Sequence, residues 1–419
     1  MSVESKRALL QGEREVKSGA AVRKVLLLGF HVGEAYFERY SAGDKFPQVA
    51  AYKLESRFIE ALRLAGLRVD TLATIAVSTF PRIKRVWLPG KLLPGNGQGV
   101  GRVMPFVNLP VIKMLTRCVG SFYGLLRMGR RTDAICVYAA HSPNLLAAYL
   151  YSKLCKKPFF VYVPDLPSFM DVALGRGRLL KLLKKLDASL LSGLLASSNG
   201  LVVISRPMVE DYPAWRSKPY MVLEGISSSS SGPVTVAGSG RKQMIFYAGG
   251  VNRSYGIVEL VEGFLRSGID YELVLCGRGD LEGYLTDVCA RHASVKYLGF
   301  VSPERVAQLQ GAASLLLLTR NPAERYTRYS FPSKLIEYMS AGIPVLTTRL
   351  AGIPDEYFDY INVIEEFSID AVARALVDFS AADKQNLYDK AARGKVWVLE
   401  TKSSRAVGKQ LVEFMENNK

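Results

Sequence analysis

The sequence predicts an α/β protein built from two domains. Short apolar segments of strand length alternate with amphipathic segments of roughly ten to fifteen residues, which favours parallel sheets covered by helices. The 419 residues exceed what one hydrophobic core usually holds. Serines and glycines dominate 227–240 and predict a flexible linker. We therefore expect a first domain at 1–224, a linker at 225–242 and a second domain at 243–401.

Composition excludes several other classes of protein. With 49% hydrophobic and 22% charged residues, the chain has the composition of a folded protein. Its five cysteines are scattered and never in C-x-x-C spacing, which argues against a disulfide framework or a zinc site and favours a reducing compartment. The start lacks the apolar segment of a signal peptide, and no stretch of about 18 uncharged apolar residues occurs. We expect a cytoplasmic protein without transmembrane helices.

The net charge of +17 is concentrated in the first half. Residues up to Lys218 include 33 Lys and Arg against 15 Asp and Glu, whereas the remainder has 22 against 23. Between Asp70 and Asp133 there are ten basic residues and no acidic one. Such asymmetry predicts an anionic partner, either a phospholipid surface or a nucleic acid.

Within this basic interval, residues 80–131 interleave basic and apolar side chains. Arg82, Lys84, Arg85 and Lys91 surround Trp87, and an apolar helical stripe with basic flanks follows Pro110. This pattern is typical of a segment that lies on a membrane surface, with Phe106 and Phe122 among the expected inserting residues. The alternative is an ordinary core helix with a solvated basic face. No nucleic-acid motif accompanies the charge, which disfavours that partner. The stretch 176–186 predicts a second basic amphipathic helix.

Three predicted strands of the first half end at polar or glycine-rich turns. The strand at 22–30 leads into a turn with Gly29, His31 and Gly33, which we expect to face a cleft. The next two deliver His141 and Asp165. Open α/β sheets bind ligands beyond the carboxyl ends of their strands, so these residues are candidates for a site. The alternative is that each histidine only caps a helix or satisfies a loop.

The stretch from Tyr329 to Glu356 carries the most specific pattern. Pro332 suits the start of a short helix, and Gly342 lies where a glycine would end it. The helix N-terminus, with free N–H groups and nearby cations such as Lys334, predicts an anion site.

This stretch resembles the donor-binding signature of retaining glycosyltransferases of family 4, which have the GT-B fold. The resemblance covers about the last 180 residues well. It implies that Glu337 holds the ribose of a nucleotide-sugar, while the first glutamate of the family pattern is replaced by Tyr329. By the same resemblance His141 lies near the donor sugar and Asp165 lines the acceptor side. The turn with Gly29, His31 and Gly33 is then also assigned to the acceptor side. The further donor-binding residues that it implies are Gly249, Gly250, Arg253, Gly277, Phe300, Val301, Ser330, Phe331 and Lys334.

Two family cations that grip the donor pyrophosphate are absent, since Gly250 and Tyr255 occupy their positions. We expect Arg253 and Lys334 to replace them. The resemblance further implies two Rossmann-like domains with parallel sheets facing across a cleft, and a C-terminal helix at 402–419 that crosses back to the first domain. The resemblance implies transfer with retention of the anomeric configuration. Because no D-x-D motif is evident, we expect this transfer to need no metal or other cofactor.

The implied function is transfer of a sugar from a nucleotide-sugar to a lipid-linked glycan, in surface polysaccharide synthesis. We expect it to occur at the inner face of the cytoplasmic membrane, where the basic first domain binds anionic lipid. Two alternatives remain at this stage. The chain could be a non-catalytic scaffold of the same fold, since Gly250, Tyr255 and Tyr329 replace expected polar contacts, or a nucleotide-sugar epimerase.

Overall fold

The computed structural model describes residues 21–44, 47–95, 99–166, 178–227 and 243–419. It contains two sheets, one in each half of the chain, and helices cover both of them. The predicted α/β class with parallel sheets in two domains is confirmed. Most of the predicted linker, 228–242, lies outside the described residues, as do 1–20 and the start of the second basic stretch.

The first sheet has eight strands in the order β10-β9-β8-β7-β1-β2-β5-β4. Every neighbouring pair is parallel except β4 with β5 at the edge. A separate two-stranded ribbon pairs β3 with β6. The strands are β1 Lys24–Gly29, β2 Arg68–Ala73, β3 Trp87–Leu88, β4 Lys91–Leu93, β5 Gly101–Val103, β6 Phe106–Val107, β7 Ala134–Tyr138, β8 Phe159–Val163, β9 Gly200–Val203 and β10 Tyr220–Val222.

The helices of this half connect the strands in the manner of repeated βαβ units. They are α1 Glu34–Ser41, α2 Val49–Leu64, α3 Ile112–Met128, α4 Ser142–Cys155, α5 Arg178–Ala196, α6 Pro207–Glu210 and α7 Pro213–Arg216. Their apolar residues and the inner faces of the sheet form one continuous core.

The second sheet has six parallel strands in the order β13-β12-β11-β14-β15-β16. This is the 3-2-1-4-5-6 order of dinucleotide-binding α/β folds, with its switch point between β11 and β14. The strands are β11 Gln243–Ala248, β12 Tyr271–Cys276, β13 Val295–Tyr297, β14 Leu315–Leu318, β15 Val345–Thr348 and β16 Asn362–Ile364. The helices are α8 Ile257–Ser267, α9 Glu282–Arg291, α10 Pro303–Ala312, α11 Arg325–Arg328, α12 Lys334–Ala341, α13 Ile369–Ala381, α14 Lys384–Thr401 and α15 Ser404–Asn417.

The last helix, α15, packs on α2 of the first domain. A side chain at Gly408 would have its Cβ 2.0 Å from the carbonyl oxygen of Ala61, so glycine allows the two helices to approach closely. The backbone N–H of Val22 also donates to the Glu416 carboxylate at 2.8 Å. The end of the chain therefore covers the core of the first domain.

The side chain of Glu55 stabilises the turn after β1 by a hydrogen bond from the backbone. It lies on α2, is buried, and its carboxylate accepts a hydrogen bond from the backbone N–H of Phe30 at 2.9 Å. Burial raises the pKa of Glu55 to about 8, partly offset by the hydrogen bonds from Phe30 and His31. A Cβ on Gly29 would lie 2.0 Å from this carboxylate, so the turn and Glu55 fit only when residue 29 is glycine.

The two domains contact each other through an interdomain clamp made of Asp211, Arg328 and Tyr329. The Arg328 guanidinium donates to both carboxylate oxygens of Asp211, at 2.6 and 2.9 Å, and the Tyr329 hydroxyl donates at 2.8 Å. These bonds lower the pKa of Asp211 to about 2. A buried ion pair between Lys402 and Glu224, 2.8 Å apart, lies where the chain crosses between domains. The signature segment of the second domain is thus bonded directly to the first.

We predict that Glu55 makes folding stability depend on pH. Its raised folded-state pKa means that its contribution is fully present below the unfolded value near 4.5 and is lost as pH rises towards about 8. The free energy of unfolding should fall by up to about 1.4 kcal/mol per pH unit in that window. Glu55→Gln should remove this decline, measured by denaturant unfolding at pH 5, 7 and 9. The exposed Glu60→Gln on the same helix is the control, and parallel pH curves for wild type and Glu55→Gln would contradict the prediction.

We predict that Asp211→Asn loosens the two domains, because an amide cannot accept both charged hydrogen bonds from Arg328 as a carboxylate does. Distances between a fluorophore on each domain should become more broadly distributed, whereas the fold of each domain is kept. Asp378→Asn, an exposed substitution away from the clamp, provides the comparison. An unchanged distribution in Asp211→Asn would show that the clamp does not fix domain orientation.

Candidate functional site

Two aromatic rings meet at the switch point of the first sheet, where β1 and β7 are neighbours. Phe30 follows β1 and His141 follows β7, and their ring centroids lie 5.2 Å apart, edge to face. Open α/β sheets bind ligands in the crevice at this point. His141 therefore occupies the sheet edge at which the sequence predicts a site.

Two basic residues of α3 lie behind His141, inside the domain. Arg117 and Lys113 are only 4% and 8% exposed. Nη1 of Arg117 lies 3.4 Å from Nε2 of His141, and Nζ of Lys113 donates to the carbonyl oxygen of Val77 at 2.6 Å. Burial, followed by repulsion from Arg117 and Lys113, holds the pKa of His141 well below its usual value. His141 is therefore neutral at physiological pH.

The acceptor-side residues predicted after β1 divide into two groups. His31 and Gly33 line a cavity of about 310 Å³ together with Arg63 and Thr71. Burial, with a smaller effect of Arg63, lowers the pKa of His31 to about 4, so this histidine is also neutral. Gly29 differs, because it is buried against Glu55 and can act only by allowing the turn.

Asp165 lies after β8, at the same edge of the sheet, and is exposed. The residues that follow it, 167–177, lie outside the described residues. Asp165 therefore lies at the end of a strand, as the sequence predicts. Among the described residues, Asp165 makes no hydrogen bond or ion pair with His141.

Glycine-containing turns join the carboxyl ends of β11, β12 and β13. The N–H of Gly249 donates to the carbonyl oxygen of Cys276 at 3.0 Å, and that of Gly277 donates to Gly299 at 2.8 Å. A Cβ on Gly277 would lie 1.7 Å from the carbonyl oxygen of Gly249, and its φ is 143°, so glycine is required there. The predicted donor residues Gly249 and Gly277 are thus brought together.

Phe300 and Val301 follow β13 at this edge. The Phe300 ring is 67% exposed, and the Arg278 guanidinium lies 4.9 Å from its centre. Val301 is half-buried. An exposed aromatic ring beside a cation can stack on a planar group such as a nucleotide base.

Tyr255 fills the space next to Gly250, since a Cβ on that glycine would lie 2.8 Å from the tyrosine ring. The guanidinium of Arg320 lies over the Tyr255 ring, 4.9 Å from its centre. Arg320 follows β14, the neighbour of β11 at the switch point of the second sheet. Our sequence analysis missed Arg320 because it belongs to no motif. The available signal was its position two residues after the short apolar stretch Leu315–Leu318.

The two cations predicted to replace the family pair lie in different settings. Arg253 is exposed on the turn after β11, where its backbone N–H donates to Asp280 at 3.0 Å. Lys334 begins α12, and its Nζ lies 2.5 Å from Oε2 of Glu337. Both side chains are half-buried. The lysine predicted to bind phosphate and the glutamate predicted to bind ribose are therefore paired with each other.

Residues 329–331 precede α12 and have three different environments. The Tyr329 hydroxyl belongs to the interdomain clamp, and the Phe331 ring packs against Tyr357 in the core of the second domain. The hydroxyl of Ser330 is buried and has no hydrogen-bond partner among the described residues. Of these three predicted donor residues, Ser330 alone therefore offers an unused side-chain group.

The residues predicted to face a membrane are all exposed: Arg82, Lys84, Arg85, Trp87 and Lys91. Trp87 is 58% exposed. Phe106 corrects our expectation, because this residue of β6 is buried in a hydrophobic cluster and cannot insert into lipid. Phe122 is half-buried.

Helix α3 does not have the orientation of an ordinary core helix with a solvated basic face, which was the alternative interpretation of its sequence. The basic residues Lys113 and Arg117 face inward, whereas several large apolar side chains face solvent. Leu115 and Val119 are 65% and 60% exposed. The other exposed apolar residues of this face are Val111, Ile112, Met114 and Tyr123. Among the described residues, no helix is long and apolar enough to cross a membrane.

Comparison with known proteins places the second domain in a family. Residues 236–394 match the family model of the group 1 glycosyl transferases. None of the curated protein sequences matches the chain. Because the family match covers less than half of the chain, it characterises the second domain.

Solved structures resemble the whole chain. Sucrose-phosphate synthase from Thermosynechococcus elongatus has a TM-score of 0.62 at 14% identity, covering 94% of this chain and 98% of that one. The lipopolysaccharide outer core galactosyltransferase WaaB has a TM-score of 0.63 at 14% identity, covering 94% and 99%. Anabaena HepE in complex with UDP has a TM-score of 0.62 at 13% identity, covering 94% and 99%. The fold is that of the GT-B glycosyltransferases, and the family match supports a glycosyltransferase of that type.

Proposed function

We propose that this chain is a family 4 glycosyltransferase that transfers a sugar from a nucleotide-sugar to a lipid-linked glycan. The proposal rests on one observation above all. The helix α12, with Lys334 and Glu337 in its first turn, begins beside the strand ends of the domain that matches the group 1 family model. A helix N-terminus with adjacent cations favours the phosphates of a nucleotide.

In the proposed donor site, the base stacks near Phe300 and the ribose hydroxyls bind Glu337. Arg253, Arg320 and Lys334 provide the positive charge for the diphosphate, and the buried hydroxyl of Ser330 faces the sugar. Structures of Anabaena HepE contain UDP and UDP-glucose, so a uridine diphosphate sugar is the first donor to test.

The proposed reaction retains the anomeric configuration and uses no metal ion. The positive charges and the α12 dipole stabilise the departing diphosphate, which requires no metal when those groups are already oriented. A phosphate oxygen of the leaving group takes the proton of the acceptor hydroxyl on the same face of the sugar. The protein contributes by positioning donor and acceptor across the cleft.

We also propose that the first domain docks on the inner face of the cytoplasmic membrane, where the lipid-linked acceptor of surface polysaccharide synthesis is located. The inverted face of α3 supports this proposal, because exposed leucine and valine side chains gain free energy when they leave water. The exposed basic residues near Trp87 would bind anionic headgroups, each contributing about 1 kcal/mol.

A non-catalytic scaffold is the second candidate, and the interdomain clamp favours it, because the clamp occupies Tyr329, at the position where the family pattern has a glutamate. Hydrolysis or transfer of a nucleotide-sugar by the purified protein separates these candidates. A scaffold would bind the donor without turnover. The epimerase alternative would instead change the sugar without an acceptor.

We predict that Glu337→Ala weakens nucleotide-sugar binding by roughly 10- to 150-fold, the effect of losing hydrogen bonds to a charged group. Calorimetric titration with UDP and UDP-glucose measures the change. Glu400→Ala, an exposed substitution in the same domain, should bind as wild type does. Equal affinities for wild type and Glu337→Ala would remove Glu337 from the donor site.

We predict that the protein sediments with liposomes of rising anionic lipid content. Neutralising Arg82, Lys84, Arg85 and Lys91 to glutamine should remove the salt-sensitive part of binding. Leu115→Asn with Val119→Asn should remove the part that persists at high salt, because apolar insertion is not screened by salt.

The matched control for the apolar variant is Val377→Asn with Val396→Asn, two exposed apolar residues of the second domain. This control should bind liposomes as wild type does. If wild type stays in the supernatant at every lipid composition, the membrane proposal is wrong.

A further inference from the structure

A buried arginine without a carboxylate partner lies directly behind His141. Arg117 sits in the middle of α3 and is 4% exposed. Among the described residues it makes no ion pair, and burial alone lowers its pKa, to about 9. It therefore remains a cation at neutral pH. Because burying an unpaired charge costs free energy, this position needs an explanation beyond packing.

The contacts of Arg117 define its role. Nη2 donates to the carbonyl oxygen of Ile75, and Nη1 lies 3.4 Å from Nε2 of His141. The guanidinium also lies over the Phe106 ring, 4.3 Å from its centre, and 5.9 Å from the centre of Phe30. These contacts fix the guanidinium in place on one side and direct one of its donors at the histidine.

The direction of this hydrogen bond fixes the histidine proton. A guanidinium has donors only, so Nε2 of His141 must accept. A neutral imidazole carries one proton, which must then be on Nδ1. Nδ1 is buried and has no partner at full hydrogen-bond geometry among the described residues; Asn144, on α4, is the one side chain that acts on the ring by hydrogen bonding. The Nδ1 proton is therefore left for a ligand bound at this sheet edge.

The backbone holds His141 in place as well. Ala139, two residues earlier, has φ of 66°, which is a strained value for a residue that is not glycine. The N–H of His141 donates to the carbonyl oxygen of Ala139 at 2.9 Å, which closes a tight turn. His141 then precedes α4, and its own carbonyl oxygen accepts the N–H of Leu145 at 3.0 Å. Such strain is typical of positions where a side chain must be aimed.

The charged groups around His141 disfavour its protonation, whereas one neutral side chain favours it. Arg117 and Lys113 approach from α3, and His141 is the residue that precedes the N-terminus of α4, where a helix dipole disfavours positive charge. Asn144, on α4, acts in the opposite direction by hydrogen bonding. The single acidic group recorded here is Asp44, which acts on Lys113.

We propose that Arg117 is a positioning residue that holds His141 as the neutral tautomer with its proton on Nδ1. His141 then serves as a neutral hydrogen-bond donor to the bound substrate and not as a general acid or base. A neutral histidine beside a helix N-terminus is a known way to donate a hydrogen bond without releasing a proton. The role in transfer rests on the proposed function, whereas the tautomer does not.

Nitrogen NMR of protein labelled at histidine tests the tautomer directly. The chain has three histidines, His31, His141 and His292, so His31→Asn and His292→Asn variants assign the signals. We expect His141 of wild type to remain neutral, with Nδ1 protonated, from pH 5 to 8. A proton on Nε2, or titration near the ordinary pKa of about 6.5, would overturn the proposal without any further variant.

Arg117→Met should remove the hydrogen bond that fixes the tautomer of His141. The pKa of His141 should rise, while burial still holds it below the ordinary value, and the Nε2-protonated tautomer should appear. Lys113→Met is the matched control, since it removes the other buried cation of α3 and leaves the Arg117 contact in place. His141 should keep its tautomer in this control. If Arg117→Met leaves the His141 signals unchanged, Arg117 does not set them.

Transfer kinetics test the consequence for the reaction. Wild-type kcat should be flat between pH 5.5 and 7.5, whereas kcat of Arg117→Met should fall towards the acid end of that range, because the loss of the Arg117 charge raises the pKa of His141. The KM for the donor should change less than kcat. If NMR shows that His141 of Arg117→Met titrates within this range while kcat stays flat, the neutral-donor role is excluded. If no nucleotide-sugar is turned over by wild type, the proposed function fails, while the NMR result still decides the tautomer.

Discussion

The hydrogen bonds from two buried cations of α3 to the carbonyl oxygens of the loop after β2 determine much of the first domain. Arg117 donates to Ile75 and Lys113 to Val77 and the hydroxyl of Thr79, so the helix must turn its basic side inward. Unpaired carbonyl groups in that buried loop would otherwise cost free energy. The same rotation places Arg117 against His141 and leaves the leucine and valine side chains of α3 in solvent. The candidate active site and the candidate membrane surface therefore have one physical origin.

Much of the fold could be predicted from the sequence, because the relevant signals are local. The apolar strand of β1, the helix pattern around Leu335 and the αL glycine at Gly342 each depend on neighbouring residues only. The orientation of α3 could not be predicted in this way. Its apolar periodicity shows that a stripe exists, yet the side that faces the core depends on which cations find carbonyl oxygens more than thirty residues away. The burial of Phe106 follows from the same unseen packing, since the Arg117 guanidinium lies on its ring.

The candidate site was predictable where a glycine or a strand end marks it and not where the partner is distant. Gly249 and Gly277 follow strands of the second sheet, and His141 follows a strand of the first. In each sheet, parallel strands bring their carboxyl ends to the same edge. By contrast, Asp211 lies 118 residues from Tyr329 in the sequence, and neither belongs to a pattern that pairs them. Arg320 is similar, because its position over Tyr255 depends on the adjacency of β14 and β11. A departure from a family pattern, such as Tyr329, shows that a contact has changed but not which contact replaces it.

The replacement at Tyr329 has a consequence for how the two domains act together. The segment from Arg328 to Glu337 contains, within ten residues, two partners of Asp211 and the pair at the start of α12. A ligand that moves this segment must change the distances in the clamp, and a change of domain orientation must act back on the segment. Binding and domain orientation linked in this way are coupled reciprocally. An exposed arginine–carboxylate pair contributes little to stability, so the coupling is small enough for a bound ligand to overcome it. The buried pair of Lys402 and Glu224 lies where the chain crosses between the domains, so it joins them at a second point.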